Sequence, residues 1–203
     1  MDRLAEVLDI AHPVLRRVDE VLATAGAPAE HDVWAELRRV RLLPGDAANA
    51  VAALRPAAFA EAGPALRADA AVCADTAAGL PPPGPWSGEA ADAYDDLRRR
   101  VAADLSGDAD SLDERLAATA DLAEALAGWM ARSRADLAGA LADVLASDAA
   151  VALAGGADSP PSYTQAMAAA EIAARILRTV ADGYEFAADV LHQSAGLATA
   201  IRP

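Results

Sequence analysis

The chain is poor in the residues that hold disulfide scaffolds and β-sheets together. It has one cysteine, Cys73, so no disulfide can form within the chain and the fold does not depend on an oxidising compartment. Aromatic residues make up only 4% of the sequence, and isoleucine is far rarer than leucine. Because strands are built mainly from β-branched and aromatic residues, these shortages argue against a large β-sheet.

Positive charge is also scarce. The chain has no lysine, and 17 arginines stand against 31 acidic residues, for a formal net charge of −14. The run Arg98–Arg100 is flanked by Asp95, Asp96 and Asp104. Because a surface of this sign repels phosphate backbones and anionic lipids, we expect no nucleic-acid partner.

Long apolar runs are absent. No stretch is apolar over the length needed to cross a bilayer, and the first residues carry acids where a secretory signal needs a basic start. We therefore expect no stable membrane insertion and a soluble protein that is cytoplasmic before any export. Export would have to use a signal-peptide-independent route that reads folded protein.

Alanine and leucine are the residues that are abundant. Alanine alone contributes 58 positions, so the apolar fraction of 54% predicts a lean core rather than a bulky one. Both residues are strong helix formers. The composition therefore predicts an all-α protein. A chain of about 200 residues is long enough to bury a hydrophobic core without disulfides or structural metals.

The first helix is predicted by apolar residues spaced alternately four and three apart. Pro13 within it predicts a kink near Ile10 or a restart, and Gly26 ends it as a C-terminal cap. The stripe consists of Leu4, Leu8, Ala11, Leu15, Val18, Leu22 and Ala25.

Proline and glycine divide the middle of the chain. A short segment is predicted over residues 31–43, and Asp46 is expected to cap a third segment that runs to Gly79 and is broken at Pro56 and at Gly63–Pro64. Residues 80–85, with four prolines in six positions, cannot be helical. A helix then begins at Glu89, with Ala93, Leu97, Val101 and Leu105 on one face.

The second half of the sequence predicts one long helical arm followed by a last helix. The arm runs from 108 to 153, about 69 Å at 1.5 Å per residue, starts at a Ser111/Glu114 capping box and ends at Gly155–Gly156. Ser162 and Gln165 predict another capping box. The arm's seam is close to a heptad repeat, with apolar or small residues at 112, 116, 119, 123, 126, 130, 133, 137, 140 and 144.

The sequence predicts no catalytic, cofactor-binding or metal-binding residue. Carboxylate pairs at helical spacing arise by chance among 31 acids, and the stretch from Asp108 departs from a calcium loop because Asp113 stands at the position that requires glycine. The histidines have no second ligand at metal spacing. The residues interpreted as ordinary surface or packing positions are Asp92, Asp96, Asp110, Glu114, His12, His31, His192 and Cys73.

One motif stands above this background, the sequence Trp86-Ser87-Gly88 followed by Tyr94. It follows the proline-rich turn and precedes a long helix, with an amphipathic segment on each side. Trp86 is expected to cover the end of a bundle, Ser87 to cap the second helix, and Gly88 to allow a close backbone turn.

In this context the chain resembles the WXG family of type VII (ESX) secretion substrates and the longer actinobacterial PPE-like proteins related to them. The resemblance covers roughly residues 46–153. It implies an elongated antiparallel helical bundle built around a helix-turn-helix hairpin with the WxG turn at its tip, usually paired as a dimer and exported by a membrane ATPase. Trp86 and Gly88 would hold the turn, with Tyr94 near the start of the second helix.

Two features differ from the family pattern. The family's export signal, a tyrosine followed four residues later by an acid, is absent, because Arg98, Met167 and Ala188 occupy these positions. The chain is also about twice the length of the small members. We expect residues 1–43 and 162–203 to supply additional helical arms that pack on the 46–153 hairpin, so that residues 1–203 form a single, monomeric bundle.

These observations favour a non-catalytic secretion substrate, partner or associated component that works through helix–helix protein contacts. Its partner would be a WXG-like protein or the secretion machinery, with self-association as another outcome. One alternative is a helical trafficking or immunity domain of a toxin or delivery system. A second is a small helical enzyme using buried carboxylates.

Overall fold

The computed structural model describes residues 2–154 and 160–199, without the side chains of Gln193 and residues 195–199. Within these residues the regular structure is entirely α-helical, which confirms the all-α prediction. The predicted helix end at Gly155–Gly156 lies outside the described residues. The helices are α1 (Arg3–Thr24), α2 (Val33–Val40), α3 (Pro44–Ala52), α4 (Pro56–Ala60), α5 (Ala62–Gly79), α6 (Glu89–Leu105), α7 (Leu112–Leu145), α8 (Asp148–Ala154) and α9 (Tyr163–Thr199).

The helices belong to two compact units. Unit 1 contains the described parts of residues 1–55 and 129–187, and unit 2 contains those of 56–128 and 188–203. The division runs through α7 and through α9, so each of these helices contributes one part to each unit. The assignment of residues 1–203 to a single bundle, with terminal arms on a 46–153 hairpin, stays a prediction.

The core of unit 1 is built on the predicted stripe of α1. Every stripe position from Leu4 to Leu22 is buried, whereas Ala25 is exposed because the helix has already ended at Thr24. Gly26 follows with φ +72°, a left-handed conformation that suits glycine. Pro13 causes no restart, since α1 is continuous. The stripe packs with Ala47, Ala48 and Val51 of α3, Leu137, Leu141 and Val144 of α7, Leu153 of α8, and Ile172, Ile176 and Leu177 of α9.

Arg134 of α7 ties two helix ends together in unit 1. Its Nη1 donates to the carbonyls of Ala52 and Leu54 (3.1 Å to the latter), where α3 ends and its last carbonyls have no partner within the helix. Its Nη2 pairs with Asp2, the N-cap residue of α1. The side chain is only 13% exposed.

Three of the predicted helix caps are tested in this part of the fold, and one of them is confirmed. The Ser162/Gln165 capping box is confirmed, with Ser162 N–H donating to Gln165 Oε1 (2.9 Å) and Gln165 N–H to Ser162 Oγ (3.2 Å). The Asp46 cap is wrong, because α3 begins earlier, at Pro44, whose missing N–H and fixed φ suit a first turn.

The Ser111/Glu114 capping box is also wrong. The Ser111 hydroxyl donates instead to the Asp108 carbonyl (2.6 Å) and to the carboxylate of Asp113, which also accepts the Ser106 hydroxyl. These two hydroxyls, that of Ser106 first, lower the pKa of Asp113 below its ordinary value.

The long arm is shorter than predicted. α7 ends at Leu145, so its 34 residues span about 51 Å, and α8 starts at Asp148 after a bend of 63°. Ser147 lies at the break, where its hydroxyl donates to the Val144 carbonyl (2.7 Å) and accepts the Ala150 N–H (3.3 Å). A serine that bonds the backbone in this way competes with the helical hydrogen bonds and starts a new helix.

No single helix of the described residues has the length and apolar content needed to cross a membrane. By those two measures alone, the bent pair α7 and α8 meets the requirement together.

Unit 2 buries much less. α4 contacts α5, and α5 contacts α6. Arg67 of α5 pairs with Glu124 and Asp121 of α7, where Gly63 leaves room for the Glu124 side chain, 2.8 Å from the place a Cβ would take. Within α6 only Ala91 is buried.

Candidate functional site

The tryptophan corner, defined as residues 80–88, connects α5 and α6, two helices that contact each other. It begins at Leu80, which leaves the helical region with φ −63° and ψ 121°. Each residue that precedes a proline is held extended, so the stretch Leu80–Pro83 cannot continue α5. The corner is therefore a stiff connection set by covalent geometry.

Two glycines turn the chain within the corner. Gly84 has φ +70°, and Gly88 has φ +103° with ψ −179°, a region open essentially only to glycine. Among the residues that the structure describes, no atom lies within 4 Å of the place a Cβ would take on Gly88. The requirement for glycine there comes from the backbone conformation and not from crowding.

Trp86 and Tyr94 are brought together across the corner. Their ring centroids are 5.7 Å apart with an interplanar angle of 49°. The Tyr94 hydroxyl donates to the Pro81 carbonyl at 2.9 Å. Tyr94 thus contacts both the start and the end of the corner, and these two contacts stabilise the shape of the corner.

Trp86 is half-exposed, and Ser87 does not cap α6 as predicted. Trp86 is 48% exposed, so the part of the indole that does not face Tyr94 is open to solvent. The Ser87 cap is wrong, because the N-cap residue of α6 is Gly88 and no side chain makes the cap hydrogen bond. The Gly88 carbonyl instead accepts the N–H groups of Ala91 (2.8 Å) and Asp92 (3.1 Å).

The surroundings of the corner are acidic. Glu89 and Asp92 lie in the first turn of α6, where the helix dipole favours negative charge. Further along, Arg98 and then Arg99 donate to Asp95 and lower its pKa below the ordinary value. No basic residue occurs from 68 to 97.

The apolar face predicted on α6 is left uncovered. Ala93 is exposed, Leu97 is 54% exposed and Val101 is 37% exposed. On the neighbouring helix α5, Val72 is exposed as well. Apolar side chains are therefore exposed on both of the helices that the tryptophan corner connects.

The histidines and the cysteine lie apart from the corner in sequence and take local roles. His31 Nδ1 accepts the Val33 N–H (3.1 Å) at the start of α2, and a ring nitrogen of His192 contacts the Ala188 carbonyl (2.7 Å). His12 is exposed, and Cys73 is half-buried on α5. Over residues 2–154 and 160–199 no three His, Cys, Asp or Glu side chains are grouped to hold a metal ion.

Unit 1 also contains an aromatic cluster, which the sequence did not predict. Trp129 is buried, and its indole N–H donates to the Gly183 carbonyl (2.6 Å) while its ring meets Tyr184 edge-on at 5.4 Å. The guanidinium carbon of Arg132 lies 4.9 Å from the centroid of Phe186. The predicted heptad seam of α7 includes positions 126 and 130 but not Trp129. It therefore misses the residue of α7 that contacts Gly183 and Tyr184 of α9.

An ion-pair network between α2 and α9 is also missing from the prediction. The buried carboxylate of Glu36 accepts Arg39 Nη1 (2.6 Å) and Arg178 Nε (3.1 Å). Arg39 Nη2 also binds Glu185 (2.8 Å) and Asp182 (3.0 Å), and these bonds, that to Glu185 first, raise its pKa. The partners on α2 and α9 are separated by more than 140 residues, so no local pattern indicates the pairs between the two helices.

The helical content of the described residues places the chain in a broad class, that of all-α proteins. Compared with protein-family models, with curated proteins and with solved structures, the chain gives no match.

Proposed function

We propose that this chain is a non-catalytic substrate, partner or associated component of a type VII (ESX-like) secretion pathway, acting through helix–helix protein contacts. The observation that carries the proposal is the tryptophan corner, in which Trp86 and Tyr94 meet at the connection between two contacting helices. In the proposed arrangement α5 and α6 are the arms of a hairpin with the WxG turn at its tip. This is the arrangement that the WXG resemblance implies.

The uncovered face of α6 supports a role in protein contact. Leu97 and Val101 expose apolar side chains at helical spacing, whereas the stripe of α1 in unit 1 is buried from Leu4 to Leu22. Apolar residues left open in a row on one helix are the usual mark of a surface that receives another helix. The proposed occupant is a helix of a WXG-like protein or of the secretion machinery.

The proposal is tested by secretion from an actinobacterial host that carries a type VII system. Trp86→Ala removes the exposed indole and its contact with Tyr94, and we expect at least a tenfold fall in the fraction of the chain found in the culture filtrate. Trp86→Phe keeps an aromatic ring on Tyr94 and should restore much of it. Tyr163→Ala, which removes an exposed aromatic residue from unit 1, is the matched control.

Helical content of each variant is measured by circular dichroism, because a loss of fold would also reduce secretion. Secretion of Trp86→Ala at the unsubstituted level, with helical content unchanged, would count decisively against the proposal.

A further inference from the structure

The tryptophan corner exposes a short ridge of prolines, Pro81–Pro83, here called the proline ridge. Leu80, Pro81 and Pro82 each precede a proline, so their backbones are held in the extended, polyproline II region, and each proline fixes its own φ. Leu80 has φ −63° and ψ 121°. Pro81 and Pro82 are exposed and Pro83 is half-buried.

The ridge is held in place before any partner binds. The Tyr94 hydroxyl fixes the Pro81 carbonyl, and the contact between α5 and α6 fixes the two ends of the connection. A rigid polyproline II segment loses little conformational entropy on binding, which is why aromatic-lined grooves recognise such segments. Its neighbour Trp86 adds a half-exposed aromatic ring to the same surface.

Charge next to the ridge has one sign. Six acids and no base occur from residue 68 to residue 97. Asp95 and Asp96 are paired with arginines of α6, whereas Glu89 and Asp92 have no basic residue within four positions of the sequence. A partner that meets the ridge therefore meets carboxylates beside it, and basic side chains complement them.

We propose that the proline ridge docks in a groove of a partner protein that is lined with aromatic side chains and rimmed by lysine or arginine. This inference deepens the proposed function and rests on it, because it names the chemistry of the surface that the tryptophan corner meets. A second copy of this chain does not fit, since it brings the same acidic surroundings and a net charge of −14.

Site-specific photo-crosslinking on the full chain tests the inference. Benzoylphenylalanine replaces Ser87, an exposed residue of the tryptophan corner that leaves all three ridge prolines in place, or Tyr163 in unit 1 as the control, in cells that carry a type VII secretion system. Mass spectrometry then identifies the cross-linked peptide. We expect position 87 to cross-link to a partner segment that contains aromatic and basic residues, and position 163 not to cross-link to that segment.

A second measurement uses the partner so identified as a purified probe. We expect Pro81→Ala/Pro82→Ala to weaken its binding at least tenfold, with the Trp86–Tyr94 ring contact still seen as an NMR cross-peak. Glu89→Gln/Asp92→Asn should weaken binding at low salt and have little effect at high salt.

The outcomes separate this inference from the proposed function. Cross-linking of position 87 to a second copy, to a segment without aromatic residues, or to nothing overturns the proline-ridge inference. So does unchanged binding of the double proline variant. If the ridge tests fail in this way while Trp86→Ala still reduces secretion, the inference is wrong and the proposed function stands. If Trp86→Ala leaves secretion unchanged, the proposed function is wrong, and the inference that rests on it is wrong as well.

Discussion

Replacing Arg134 should destabilise unit 1 more than its exposed ion pair suggests. The side chain is 13% exposed, and besides pairing with Asp2 it donates to the carbonyls of Ala52 and Leu54. Hydrogen bonds from a charged donor contribute about 1.5–3 kcal/mol each, and water recovers part of that when the donor is removed. We therefore expect Arg134→Met, which keeps the apolar stem, to lower the free energy of unfolding by about 2–4 kcal/mol.

Three matched variants separate the contributions. Asp2→Asn removes only the ion pair and should cost at most about 1 kcal/mol. Arg134→Lys keeps the charge but lacks the planar fork that reaches several acceptors, so its cost should lie between those two values. Arg16→Met removes a largely exposed arginine from α1 and should change stability by no more than about 0.5 kcal/mol.

Urea unfolding at 25 °C, followed by circular dichroism, gives the stability of each variant. Because the chain has two compact units, hydrogen exchange of peptides covering residues 44–54 reports on unit 1 separately. A cost for Arg134→Met no larger than that for Arg16→Met would refute the role assigned to the carbonyl contacts.

Two further predictions concern backbone conformation and pH. Gly88→Ala should destabilise α6 by about 1–3 kcal/mol because its φ of +103° strains any side chain, whereas Gly139→Ala, inside α7 with open space around the new Cβ, should stabilise by about 0.5–1 kcal/mol. Hydrogen exchange and thermal unfolding measure both, and effects of the same sign would contradict the argument. Burial raises the pKa of Asp19 above its ordinary value of 3.8, although the Gly45 N–H opposes the shift. The folded state then binds the proton more tightly, so stability falls as the pH rises from 3.8 through the raised pKa. Asp19→Asn, which can still accept the Gly45 N–H, should remove this fall in urea unfolding between pH 4 and 7, and an unchanged pH dependence would exclude Asp19 as its source.

Local patterns predicted those parts of the fold that depend on neighbouring residues alone. The apolar period over residues 4–22 forms the continuous helix α1 that it predicts, and Gly26 follows the end of that helix in the left-handed conformation. The Ser162/Gln165 box forms as written. Each of these features needs only residues within a few helical turns, so sequence spacing suffices.

The same kind of reasoning failed where a side chain had a competing partner. Ser111 has the spacing of a capping box, but its hydroxyl binds Asp113 and the Asp108 carbonyl instead. Ser147 interrupts the long arm by bonding the backbone on both sides of itself. A heptad-like pattern does not indicate which serine will leave the helix, because the outcome depends on the surrounding packing.

The tryptophan corner also has features that the sequence predicts and features that it does not. The prolines and glycines of residues 80–88 predict a stiff, non-helical turn, because proline and glycine restrict or free the backbone wherever they stand. The contact of Trp86 with Tyr94, eight residues along the chain, and the bond from Tyr94 to Pro81 require the turn's three-dimensional course.

By itself, the sequence determined the helical class of the described residues, the strong negative charge and a stiff, non-helical turn at residues 80–88, because propensity, charge and proline geometry act locally. Only the tertiary structure decided which apolar faces are covered: the stripe of α1 is buried, while Leu97 and Val101 of α6 stay exposed. It also decided which distant groups meet, as Arg39 meets Asp182 and Trp129 meets Gly183. The period of a helix shows which face is apolar, and only packing shows what lies against that face.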